Sequence, residues 1–230
     1  MVPGITQGLL AGASVVMVGA GALGGEISEA LIRMGIGRLT ILDGDVVHIS
    51  NLARQKFFVR DLEKNKAIRI CKNLAGQATA MSVLVGIPMS FEEAVASGQE
   101  LGCSVSVVAV DNDAARAYAS KFFRERNTPL VITGVSKDAD RGYVFIQDAT
   151  GSPCIACLMP EVVTNKEINA CVPGVIDISK IISGYACFGV VSLITGRRAH
   201  WNYRQLSISG AIPEVITMIA KDPNCELCGG

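Results

Sequence analysis

The chain has 230 residues, half of them hydrophobic, and its 21 Lys plus Arg are matched by 21 Asp plus Glu. That length suits one α/β domain with an appended module. The balanced charge excludes a general attraction to nucleic acid or an anionic membrane, so any anion site must be local.

The opening residues, Met1-Val-Pro-Gly-Ile-Thr-Gln, carry no basic stretch, and glycines cut the apolar run behind them. This is not the pattern of a secretory signal, and a cytoplasmic location is expected. Apolar, β-rich runs then alternate with amphipathic ones. Strands are predicted at 14–19, 38–43, 80–85, 104–110 and 130–134, and helices at 22–34, 62–75, 91–97 and 113–126. This is the pattern of a Rossmann-like, doubly wound and mostly parallel sheet. Beyond residue 134 the character changes. Segments 142–148 and 202–208 alternate like antiparallel strands, with a long apolar helix between them at 178–195. The apolar run is short of the roughly 20 residues that span a bilayer and contains Ser183, Gly184 and Tyr185, so it is read as a core helix. One domain is expected, with a nucleotide-binding half at about 1–135 and a lid, apolar helix and cysteine-rich part at about 136–230.

Gly19, Gly21 and Gly24 lie between the first predicted strand and helix. Glycines there close a tight turn, let backbone amides approach a phosphate and let the helix pack closely. Asp43, at the end of the second strand, stands where an acid would hold a ribose hydroxyl. Those features alone fit NAD, FAD, S-adenosylmethionine or ATP. The next segment, with Asp45, His48, Asn51, Arg54 and Gln55 followed by Lys66, is polar enough to meet a triphosphate. Asp111 closes the fourth strand at the edge where such sheets bind ligands, and suits Mg²⁺. Arg54 and Lys66 also read as solvated charges, Asp45 as a loop cap, His48 as a surface imidazole, and Arg116 as the partner of an acid on its own helix.

Cys154 and Cys157 form one CxxC pair, Cys225 and Cys228 a second, among eight cysteines. Without an export signal, a metal explains them better than a disulfide framework. A closed shell of four thiolates suits structural Zn²⁺, which would pin the tail. A redox dithiol or simple core cysteines are the alternatives. Cys171, in Asn-Ala-Cys-Val-Pro-Gly, reads either as a reactive thiol or as a small buried hydrophobe. Cys71, Cys103 and Cys187 read as core.

The series GAGALGG at 19–25, LDGDVVHISNLARQ at 42–55, EKNKA at 63–67, AVDN at 109–112, CIAC at 154–157 and the terminal CELCGG resembles the MoeB/ThiF/HesA family over nearly the whole length. That family has the adenylation fold of ubiquitin-activating enzymes. The resemblance implies that Asp43 binds the ATP ribose, that Asn51, Arg54, Gln55 and Lys66 bind the phosphates, and that Asp111 binds Mg²⁺, with Asp45 and Asn112 among the nucleotide contacts. It implies adenylation of the C-terminal glycine of a small β-grasp protein, a ubiquitin-like or sulfur carrier ending in Gly-Gly. In some family members a cysteine equivalent to Cys171 then takes the activated tail as a thioester or acyl disulfide.

The resemblance also implies a homodimer, with a conjugating enzyme or sulfur donor downstream. MoeB-type relatives carry an N-terminal helical arm with an arginine that reaches the other subunit; with the first strand predicted at 14–19, that arm is not expected here, nor is a C-terminal rhodanese or ubiquitin-fold extension. Three other readings compete: an NAD-dependent oxidoreductase, a partner subunit without its own ATP chemistry, and a peptide- or tRNA-modifying adenylase of the same superfamily.

Overall fold

The computed structural model describes residues 7–79, 81–148, 151–163, 176–197 and 199–229. The helices are α1 (Gln7–Gly12), α2 (Ala22–Arg33), α3 (Lys66–Leu74), α4 (Phe91–Ala96), α5 (Asp113–Glu125), α6 (Ile155–Leu158) and α7 (Ile176–Thr195). The strands are β1 (Ser14–Val18), β2 (Arg38–Leu42), β3 (Val83–Ile87), β4 (Val105–Val108), β5 (Leu130–Val135), β6 (Arg141–Gln147), β7 (Tyr203–Ser207) and β8 (Val215–Thr217). They form one eight-stranded sheet in the order β3-β2-β1-β4-β5-β6-β7-β8. β1 to β5 run parallel, and β6, β7 and β8 each pair antiparallel with the preceding strand. The expected mixed sheet is present.

Alternation along each strand divides the core into two layers. Val15 and Met17 of β1 face the layer built with α2, α3 and α7, whereas Val16 and Val18 face α4, α5 and the cysteine-rich tail. α7 is long and apolar enough to cross a bilayer, but Ile178, Ile182, Ala186 and Val190 along it are completely buried against the sheet. The topological switch falls between the parallel neighbours β1 and β4, where the strand order reverses and a crevice opens at their C-terminal ends.

Four differences from the sequence reading have local causes. α3 begins at Lys66 rather than at 62, because Glu63 has φ 59°, outside helical space, and Asn65 caps the helix by accepting from the Ile68 amide at 3.1 Å. β3 runs two residues past its expected end. Gly86 lies inside it because a Cβ there would meet the Ala67 carbonyl oxygen of α3 at 2.5 Å. α1 has weak helical propensity, with glycines at 8 and 12, and is held by burying Leu10 and packing on α7. β8 has all three residues exposed, so it shows no apolar alternation; its pairing to β7 carries it.

Candidate active site

The crevice at the switch point encloses about 310 Å³. Its floor is the turn between β1 and α2. Gly19 has φ 98°, and a Cβ there would meet the Ala109 carbonyl oxygen at 2.6 Å. A Cβ on Gly24 would lie 2.0 Å from the Gly19 carbonyl oxygen, so glycine is what lets α2 sit on the turn. Gly21 differs: a Cβ there meets nothing nearer than Gln55 Nε2 at 3.9 Å and would project into the crevice. Gly21 is the N-cap of α2, no side chain caps that end, and no acid occupies its first turn. The first-turn amides, with Ala22 and Leu23 on the crevice wall, therefore form an uncapped positive end suited to an anion.

Asp43 Oδ2 accepts from the Ala20 amide at 2.7 Å and Oδ1 from the Asp45 amide at 2.9 Å, which locks the carboxylate at the end of β2. Desolvation raises its pKa above the ordinary carboxylate value, although Lys66 and the two amides oppose the shift. An acid held at this energetic cost beside a crevice is a mark of function rather than of stability.

Lys66 is buried at the first position of α3 and donates to Asp45 Oδ2 at 2.7 Å. A cation at a helix N-terminus opposes the helix dipole, so α3 itself gains nothing from this placement. Asn65 fixes it: beyond capping α3, its Nδ2 donates to the Asp43 carbonyl at 2.8 Å and the Asp45 carbonyl at 3.1 Å. Sequence reading passed over Asn65, although an Asn ahead of an amphipathic run is a helix-start signal.

Arg54 and Gln55 line the same crevice as Asp43. Gln55 Oε1 is buried without a hydrogen-bond partner. A half-turn of the amide presents a donor at the same place, so the residue fits an acceptor-rich phosphate. Asp111 is exposed on the far rim. Asn112 lies on the wall but caps α5, accepting from the Ala115 amide at 2.7 Å. Asn51 stands apart from the rest: it is 4 % exposed, does not line the crevice, and accepts from the His48 amide at 2.9 Å. Arg116 pairs with Asp113 at 2.6 Å on its own helix and donates to the Val110 carbonyl at 2.7 Å. Ser90 and Glu92, at the start of α4, complete the wall beyond Asp43; nothing in their sequence context had marked them.

The two CxxC pairs converge on the opposite layer. α6 places Cys154 and Cys157 one turn apart, and the tail returns Cys225 and Cys228. Sulfur separations are 3.9 Å for Cys154–Cys157 and 3.4 Å for both Cys154–Cys225 and Cys157–Cys228. A tetrahedron of sulfurs about 2.3 Å from a zinc ion has edges of about 3.8 Å, so the donor set fits Zn²⁺. Burial raises the Cys225 thiol, but the amides of Leu227 and Cys228 together with the Cys154 and Cys228 side chains outweigh this and hold it below its ordinary value. Gly229 closes the knuckle, since a Cβ there would meet the Cys225 carbonyl oxygen at 2.5 Å. Cys171 lies outside the described residues.

Among curated proteins the chain is 26% identical over 230 residues to the adenylyltransferase and sulfurtransferase MOCS3 of Mus musculus, covering 96% of this chain and 48% of that protein. It is 31% identical to the SAMP-activating enzyme E1 of Haloferax volcanii, covering 67% of this chain and 56% of that protein. Against the ubiquitin-like modifier-activating enzyme 5 of Oryza sativa subsp. japonica the identity is 28%, over 66% of this chain and 39% of that protein. The chain thus spans about half the length of these relatives. The crystal structure of E. coli MccB with ATP shares the fold at a TM-score of 0.82 and 20% identity, covering 97% of this chain and 68% of that one. The model of the ThiF family matches residues 5–227, and the chain belongs to that family.

Proposed function

We propose that the chain adenylates the C-terminal carboxylate of a small β-grasp protein, a ubiquitin-like or sulfur carrier ending in Gly-Gly, at the expense of ATP. The observation that carries this reading is the uncapped start of α2 lining one crevice together with Arg54, Gln55 and Lys66. One carboxylate, Asp43, closes its ribose end, and another, Asp111, stands on the far rim. The names of relatives in the family, an adenylyltransferase and two activating enzymes, agree with it.

The tail carboxylate attacks the α-phosphorus of ATP. A bond forms from its oxygen to that phosphorus, the bridge to the β-phosphoryl group breaks, and pyrophosphate leaves. The nucleophile is already ionised, so no general base is needed. The α2 amides hold phosphate oxygens, and Asp43 fixes the ribose. Arg54 and Lys66 neutralise charge on the departing pyrophosphate, an effect worth roughly 10²–10³ in rate for a single well-placed donor. Asp111 would hold Mg²⁺, which when bound screens the phosphate charge against the incoming carboxylate. Release of Lys66 from Asp45 turns a resting ion pair into a phosphate contact.

In this account the whole chain acts as one adenylation domain in a cytoplasmic homodimer, with Cys171 as acceptor of the activated tail ahead of a conjugating enzyme or sulfur donor. Burial pushes Cys71, Cys103 and Cys187 up to about 12, which keeps them protonated at neutral pH and unsuited to that role. The test is intact-mass analysis after incubation with ATP, Mg²⁺ and candidate carriers. An AMP adduct on the carrier supports the reading, and a reducible adduct at Cys171 supports the transfer step. An adduct only on free peptides would favour a peptide-modifying adenylase. Binding of NAD in place of ATP would overturn the reading.

A further inference from the structure

Among the described residues, Asp61 is the only fully buried carboxylate. It lies outside the crevice, beyond the loop that carries Arg54 and Gln55, and the reaction above does not use it. Its Oδ1 accepts from Arg69 Nε at 2.6 Å, and its Oδ2 accepts from Asn73 Nδ2 at 2.7 Å and from the Phe58 amide at 3.0 Å. Arg69 and Asn73 lie one turn apart on α3, the helix that begins with Lys66. Asn73 Nδ2 also donates to the Lys56 carbonyl at 3.2 Å, next in the chain to Gln55. The Lys56 ammonium reaches Glu26 at 3.0 Å and Glu29 at 2.7 Å on α2.

The loop is therefore clamped on both sides of its functional residues. Upstream, the Arg54 and Gln55 amides donate to the Asn51 carbonyl at 3.1 and 2.9 Å. Downstream, Asp61 and Asn73 tie residues 56–58 to α3. We infer that Asp61 is a positioning residue that sets Arg54 and Gln55 against Lys66, so that loop and helix present their phosphate contacts in one fixed geometry. This rests on the reading of those three residues as ATP contacts. A buried ion pair is a poor source of stability against well-packed apolar groups, whereas it fixes direction through several bonds. Burial disfavours the Asp61 carboxylate, but the Asn73, Phe58 and Arg69 bonds outweigh burial and hold its pKa below the ordinary value.

The experiment measures ATP affinity by calorimetry, KM for ATP against kcat in pyrophosphate exchange, and thermal stability, for Asp61→Asn and Asn73→Ala. Asn73→Ala keeps the Asp61–Arg69 pair and a helix-favouring residue, so it carries the test where Asp61→Asn does not fold. Val162→Ala, in the buried core of the opposite layer, serves as a control for general destabilisation. Both test variants should weaken ATP binding and raise KM for ATP by about tenfold, the scale of one charge-assisted hydrogen bond, with KM for the carrier unchanged. The control should lose stability with ATP affinity intact. Test variants that lose stability but bind ATP like the wild type would overturn the positioning role. A wild-type protein that does not bind ATP would instead strike the functional reading on which it rests.

Discussion

Gly21→Ala separates ligand binding from folding at one position. The added methyl meets no protein atom closer than 3.9 Å, and Gly21 has φ −73°, which alanine accepts. Folding stability should therefore hold or rise by about 0.4–1 kcal/mol through the reduced freedom of the unfolded chain. The same methyl projects into the crevice at the uncapped end of α2, where a phosphate oxygen must approach the backbone. We expect ATP affinity to fall at least about tenfold, or 1.4 kcal/mol. Gly24→Ala makes the contrast. Its Cβ would start 2.0 Å from the Gly19 carbonyl oxygen, where real contacts stay beyond 3.0 Å, so α2 must retreat by roughly 1 Å. That retreat should cost about 1–3 kcal/mol of stability and, through misplacement of the α2 amides, ATP binding as well. Calorimetric titration with ATP and thermal denaturation on both variants check this. A Gly21→Ala protein that binds ATP as tightly as the wild type would refute the placement of phosphate at this turn.

Because desolvation raises the Asp43 pKa, ionising it costs folding energy above its unfolded value of 3.8. The stability of the wild type relative to Asp43→Asn should therefore decline as pH climbs above about 4; a constant difference in denaturant melts would contradict the shift. Removing zinc with a chelator should free the tail, giving faster amide exchange at 154–159 and 219–229, while ATP affinity changes by less than about twofold. Loss of ATP binding on chelation would mean that the tail supports the crevice directly. Lys66→Met, which fills the same volume without charge, should leave stability within about 1 kcal/mol and lower the adenylation rate by roughly 10²-fold; an unchanged rate in stopped-flow assays removes Lys66 from the phosphate contacts.

Much of this arrangement was legible because its signals are local. The glycine turn, the acid ending β2 and the two CxxC pairs each state their chemistry within a few residues, and the apolar runs of β1, β4 and β5 mark a parallel sheet. What escaped depends on distant partners. α1 helps cover the sheet only because α7 lies beneath it, β8 pairs without an apolar face, and the one-turn helix inside the first CxxC is too short to leave a periodic trace. Glu63 with φ 59° delays α3 until Lys66, which no propensity scale would indicate. In the site, the composition of the loop suggested a shared phosphate role for Asn51, Arg54 and Gln55. The fold gives Asn51 a capping bond inside the loop and leaves the other two on the crevice wall.

The most direct test of the account is carrier-dependent exchange of labelled pyrophosphate into ATP, compared between the wild type and Asp111→Ala. Asp111 is exposed, so its loss should leave the melting curve unchanged. The account predicts exchange only when the carrier has a free Gly-Gly carboxylate, and its disappearance in the variant. Normal exchange by Asp111→Ala would contradict the metal-binding role, and absence of exchange by the wild type with every Gly-Gly carrier would contradict adenylation itself.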